Sequence, residues 1–154
     1  MNPIRPQVPG VTMAEMRNRV SELPNDAALA ASRLDGGLSM IDSLANSKPT
    51  WAGREVEPPA QQAIETAKDA YRRIFTGGFI PDRIVASGEG GVALCFLRGD
   101  AYADMEFLND GELLACTLDR TSGATEVWEF SLEMISVTAD RIKDFLARHA
   151  ARSL

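Results

Sequence analysis

Between residues 82 and 131, short runs of alternating apolar and polar residues are cut by three turn signals. Gly99-Asp100 suits a two-residue type II′ turn and Asp110-Gly111 a type I′ turn. Thr121-Ser122-Gly123 suits a three-residue hairpin loop with glycine in the left-handed position. A chain that reverses at each of these points runs as an antiparallel meander. Five strands are predicted, at about 82–87, 91–98, 101–108, 112–119 and 125–131.

The turn types also predict a register. Gly99-Asp100 pairs residue 96 with 103 and 94 with 105. Asp110-Gly111 pairs 105 with 116 and 107 with 114, and the third loop pairs 116 with 128 and 114 with 130. Directly paired residues share a face. One predicted face then carries Val92, Leu94, Phe96, Ala103, Met105, Phe107, Leu114, Cys116, Leu118, Trp128 and Phe130, with no charge among them. The other carries Ala93, Cys95, Leu97, Tyr102, Asp104, Glu106, Leu108, Leu113, Ala115, Thr117, Val127 and Glu129. A one-residue slip would exchange the two faces of a strand.

Two helices are expected to cover the charge-free face. Pro58 and Pro59 open the first, Ile64, Ala67, Tyr71 and Ile74 line one side of it, and Gly77-Gly78 ends it. The second starts at about Thr138, with Val137 and Ile142 as a hydrophobic staple and Ile142, Phe145, Leu146 and His149 as its apolar stripe. The expected fold class is therefore α+β, a five-stranded antiparallel meander packed by two helices, with a core domain over 58–154. Ahead of it lies an N-terminal helical arm, over 1–50 with the start of a linker. In the arm, Thr12-x-x-Glu15 reads as a capping box, and Met13, Met16, Val20 and Leu23 keep one helical face up to Pro24. A further helix starts near Asn25 or Asp26. Gly36-Gly37 is expected to kink or stop it, at about 1 kcal/mol per glycine relative to alanine. Residues 46–59 read as a linker in which Trp51 is the exception, an aromatic expected to dock.

Composition excludes several function classes. Sixteen Lys and Arg against 22 Asp and Glu give a net charge of -6, which opposes binding to a phosphate backbone. With 154 residues, 45% of them hydrophobic, the chain can bury a core without a metal or disulfide staple. Cys95 and Cys116 have neither metal-ligand spacing nor a C-x-x-C pattern. No apolar run approaches the roughly 20 residues of a membrane helix, and prolines stand where a signal peptide would be apolar. No cofactor, metal or membrane association is expected, and the expected compartment is the cytoplasm.

Few groups could carry chemistry. Asp104 and Glu106 are two residues apart on one strand, roughly 7 Å by strand rise. Glu129 is predicted about 10 Å from Glu106, two strands over. That spacing is loose for a shared metal, and no histidine joins it. The solvated side of a half-buried sheet is the commonplace reading of this face, and a binding surface is the other. His149, the single histidine, reads as a packed side chain more readily than as a catalytic base. Cys116 is expected in the core beside Trp128, and Cys95 on the mixed face. Gly88-Glu-Gly-Gly91 lacks the Lys-Ser/Thr of a phosphate loop and reads as a tight turn between strands. Arg98-Gly99-Asp100 is what the first hairpin needs.

The stretch Pro81-Asp-Arg-Ile-Val-Ala-Ser-Gly-Glu-Gly-Gly-Val-Ala-Leu, followed by Ala103-Asp-Met-Glu-Phe-Leu-Asn-Asp-Gly-Glu112, resembles small bacterial proteins with a G-G-V-A-L strand and then an acidic strand ending in N/P-D-G-E. The resemblance covers about 58–119. It implies a bacterial or phage origin and brings no activity or catalytic residue.

Lacking a nucleophile–base set, a metal cluster and a phosphate loop, the chain is expected to be a non-catalytic interaction protein of inhibitor, antitoxin or immunity-like type. Its expected ligand is a protein, and a basic one would suit its charge. The expected partner surface combines Leu97, Tyr102, Asp104, Glu106, Leu113 and Glu129 with Met13, Met16 and Val20 of the arm. One alternative is a small-ligand binder or carboxylate enzyme using Tyr102, Asp104, Glu106 and Glu129. It requires a concave pocket and raised carboxylate pKa values. Another is a structural homo-oligomer, such as a dimer, joined through the arm.

Overall fold

A computed structural model describes residues 26–152. Met13, Met16 and Val20, with the first arm helix, lie outside the described residues. Two units are distinguished, Met1–Arg33 and Leu34–Leu154. In chain order the elements are helix α1 (Asp26–Ser43), a 3-10 turn (Leu44–Asn46), strands β1 (Thr50–Trp51) and β2 (Arg54–Glu55), and helix α2 (Gln61–Thr76). Strands β3 (Arg83–Ala86), β4 (Gly91–Arg98), β5 (Ala101–Leu108), β6 (Leu113–Asp119) and β7 (Thr125–Glu129) follow. A second 3-10 turn (Leu132–Met134) leads into helix α3 (Ile135–Arg152). Strands β3 to β7 form one antiparallel sheet in sequence order, the expected meander. Among the described residues, no helix is long and apolar enough to cross a membrane.

One face of the sheet packs on the helices. Val92, Leu94, Phe96, Ala103, Met105, Phe107 and Ala115 are buried there together with Ala63, Ile64, Ala67, Ala70, Tyr71 and Ile74 of α2. Ile135, Ala139, Ile142 and Leu146 of α3 complete that core. Phe79 stacks on Phe96 with ring centroids 4.2 Å apart, and Phe107 meets Phe130 edge-on at 6.1 Å. Fully burying a large side chain such as Phe96 or Phe107 stabilises the fold by about 1.5–3 kcal/mol.

The β4–β5 register is as predicted, with Phe96 opposite Ala103 and Leu94 opposite Met105. Strand β6 is not. Met105 faces Ala115 rather than Cys116, and Phe107 faces Leu113 rather than Leu114. The cause is a longer loop: Leu108 pairs with Glu112, so Asn109, Asp110 and Gly111 turn the chain as three residues. Gly111 takes the positive φ, and the Asp110 carboxylate accepts from the Glu112 amide at 2.9 Å. Asn109 is held outside the hairpin, accepting from the Ala60 amide (2.7 Å) and donating to the Pro58 carbonyl (3.1 Å) at the start of α2.

The next loop is longer by one residue as well, running over 120–123, because the Asp119 carboxylate accepts from the amides of Thr121 and Ser122. The two extra residues compensate. Strand β7 recovers its predicted faces, with Trp128 opposite Ala115, while β6 alone is turned over. Leu113, Ala115 and Thr117 therefore face the helices, and Leu114, Cys116 and Leu118 face away from them.

Two helix expectations are also corrected. Helix α1 continues through Gly36-Gly37 instead of stopping there, and Gly37 is needed because a Cβ would overlap the ring of Tyr71. Helix α3 starts at Ile135, not at Thr138. Ile135 is buried and is fed by the 3-10 turn, which leaves Thr138 as a buried residue inside the helix rather than its cap.

Candidate functional site

The face away from the helices is built from cross-strand rows. Arg83, Cys95, Asp104, Cys116 and Val127 make one row across all five strands. Val85, Ala93, Glu106, Leu114 and Glu129 make the next. Asp104 thus sits in mid-sheet between two thiols, and Glu129 lies two strands from Glu106, as predicted.

A concave pocket of about 660 Å³ opens over this face. Leu97, Tyr102, Asp104 and Glu106 line it, with Cys95, Ser87, Arg83, Glu89, Leu118, Arg120 and Trp51. Glu129 and Leu113 do not. Glu129 sits outside on the last strand, and Leu113 packs against the core as a consequence of the corrected register.

Trp51 arrives on the β1–β2 hairpin, whose tip Ala52-Gly53 has positive φ at both residues. Its ring lies against Gly88, where even a Cβ would come within 3.1 Å of it. The expected docking of Trp51 is therefore onto the β3–β4 turn, while 68% of the residue remains exposed. That turn is tight, with Ser87 and Gly91 joined at 2.8 Å. Gly91 has φ +141°, and a Cβ there would strike the Phe107 carbonyl oxygen on β5.

The polar groups in the pocket form two short chains. The Ser87 hydroxyl donates to Glu106 Oε1 at 2.7 Å and accepts from the Glu89 amide. The Tyr102 hydroxyl donates to Asp104 Oδ2 at 2.6 Å and lies 3.6 Å from Cys95 Sγ. Asp104 is only 9% exposed, and among the described residues its buried Oδ1 has no hydrogen-bond partner. Burial pushes its carboxyl up to about 6, against the Tyr102 hydrogen bond that lowers it, and Glu106 adds to the rise. Burial, then the bonds to Asp104 and Cys95, raise the Tyr102 phenol far above its ordinary range. Burial also raises both thiols. Cys95 rises despite its contact with Tyr102, and Cys116 reaches about 11 with help from Asp104 and Glu106. Cys116 is thus an unreactive neighbour of Asp104 rather than a core residue beside Trp128.

A second cleft lies between the β6–β7 loop and the end of α3. His149 is packed there, its Nε2 3.2 Å from Asp119 Oδ2 and its Nδ1 2.8 Å from the Phe145 carbonyl oxygen. Burial acts to raise Asp119, but the Thr121 amide, Ser122 and His149 together hold it below the usual carboxylate range. Its second carboxylate, Glu126, pairs with Arg141 at 2.9 Å. Both acids of that cleft have partners, whereas among the described residues the buried Asp104 Oδ1 has none. Among the described residues, no group of three or more His, Cys, Asp or Glu could hold a metal ion.

No protein-family model, curated protein or solved structure matches the chain.

Proposed function

We propose that the protein binds a small polar ligand in the pocket over Asp104. The observation that carries this is the orphaned Oδ1: a carboxylate oxygen buried in mid-sheet, just beneath the floor of a concave pocket that Asp104 lines, without a donor among the described residues. Leaving a buried acceptor unpaired costs about 1–3 kcal/mol or more for a charged group. Folds rarely keep such groups without a use for them. The raised carboxyl is the second support, because strongly perturbed groups in clefts mark binding and catalytic sites. A mixed lining of aromatic, aliphatic and convergent polar groups suits a small molecule. The direct test is a ¹⁵N–¹H correlation experiment on the full chain with a library of small polar molecules. Shifts clustered at Ser87, Cys95, Tyr102 and Asp104 support the reading. Hits that leave these residues unmoved refute it.

A second reading keeps a protein partner on the same face. It rests on Trp51 and Val127, which are 68% and 63% exposed. An exposed tryptophan is a typical interface anchor. Under this reading, Trp51→Ala abolishes co-purification of a specific partner, while the small-molecule library finds no site.

A further inference from the structure

The pocket has unmet demand of both signs. Inside, Asp104 Oδ1 lacks a donor among the described residues, and its neighbours across the sheet are the neutral thiols Cys95 and Cys116. Glu106 is already engaged by Ser87. At the rim stand two guanidiniums, Arg83 and Arg120. Arg83 is exposed at the β3 end of the row that contains Asp104. Arg120 reaches over the Tyr102 ring, its guanidinium carbon 5.7 Å from the centroid, and Tyr102 is itself bonded to Asp104. Among the described residues neither arginine forms an ion pair, whereas Lys68, Arg73, Arg98, Arg141 and Lys143 do.

Arg83 does not reach in to pair with Asp104. Two strand spacings, about 10 Å, separate their backbones, and Cys95 stands between them. The separation leaves a negative well in the floor and a positive rim above it. A purely anionic ligand would be repelled from the floor, and a purely cationic one would leave both arginines unanswered.

Resting on the reading of this pocket as a ligand site, we propose that its ligand is a small zwitterion of the amino-acid type. Its amine pairs with the Asp104 carboxylate once a small side-chain movement uncovers the buried Oδ1, and its acid group is received by Arg83 and Arg120 at the rim. Charge-assisted hydrogen bonds of this kind are the strong ones, and the planar arginine fork fits a carboxylate on two points. The exposed flank of Trp51, with Leu97 and Leu118, offers an apolar wall to the ligand's carbon skeleton. Glu89, the remaining rim carboxylate, is exposed like the two arginines and offsets part of their charge.

The test titrates the full chain with the common α-amino acids and with longer ω-amino acids from glycine to aminohexanoate. Each is compared with its N-acetyl and carboxamide derivatives, and the readouts are ¹⁵N–¹H shifts and calorimetry. At least one free amino acid is expected to move the Cys95, Tyr102 and Asp104 resonances. Acetylating its amine or amidating its acid should each weaken it by about tenfold or more. Asp104→Asn should erase the penalty for acetylation, and Arg83→Gln with Arg120→Gln should erase the penalty for amidation. If the pocket binds library molecules but treats free and blocked amino acids alike, the zwitterion inference falls and the pocket stands. If neither amino acids nor library molecules move these resonances, both fall.

Discussion

Asp104→Asn is expected to make the protein more stable and less functional. In the folded chain the carboxyl is raised from 3.8 to about 6, mainly by burial. The folded state therefore holds this proton more tightly than the unfolded state. Folding takes up a proton between those two values, so stability falls as pH rises through that window. Above the folded pKa the penalty is fully present, and below about 4 it is gone. A rise of this size corresponds to about 3 kcal/mol at neutral pH, less whatever solvent in the pocket screens. Asparagine keeps the shape and can still accept from Tyr102, but it carries no charge to desolvate. Urea unfolding at pH 7.5 should show the variant more stable by about 1–3 kcal/mol. At pH 4 the gap should close. A variant less stable than wild type at pH 7.5, or a gap unchanged between the two pH values, would refute the reading of Asp104 as an unpaired charge. A stabilising change that also removes binding is the usual mark of a site maintained at the expense of stability.

Four further outcomes follow from the geometry. Ala52, the one described non-glycine residue with positive φ, sits at a hairpin position that favours asparagine. Ala52→Asn should raise the thermal midpoint, by the equivalent of about 0.5–1 kcal/mol, without moving Trp51 fluorescence. Gly91→Ala should lower stability in urea by more than about 2 kcal/mol, because its Cβ meets β5 backbone that cannot move aside. Cys95 and Cys116 should react with a thiol reagent at pH 8 only after unfolding, since burial raises both and neither is activated. They should also form no disulfide with one another, standing about 10 Å apart on either side of β5.

The meander was legible because turn residues and alternation agree over β3 to β5. Strand β6 was not, and the reason lies in its composition. Leu113, Leu114, Ala115, Cys116 and Leu118 put apolar side chains on both faces, so neither register is penalised. The deciding facts lie in the loops rather than in the strand. Asn109 is taken up by the start of α2, and Asp119 folds its own loop around Thr121 and Ser122. Likewise, the propensity cost at Gly36-Gly37 was real, but the ring of Tyr71 uses the space that Gly37 leaves.

For the site, Leu97, Tyr102, Asp104 and Glu106 were readable from strand parity alone. Arg83, Ser87 and Arg120 were not, because they come from the first strand, the next turn and a distant loop. Only the register brings them to one pocket. Trp51 announced itself as an aromatic in a polar segment, though not where it would dock.

The measurement that bears most directly on the pocket is the carboxyl ¹³C shift of Asp104, followed through a pH titration with and without saturating ligand from the library. In the free protein its midpoint should lie near 6. A bound donor on Oδ1 should pull that midpoint down, because it favours the charged form. A midpoint that starts in the ordinary aspartate range, or one that no bound molecule displaces, would contradict the assignment of Asp104 as the floor of a ligand site.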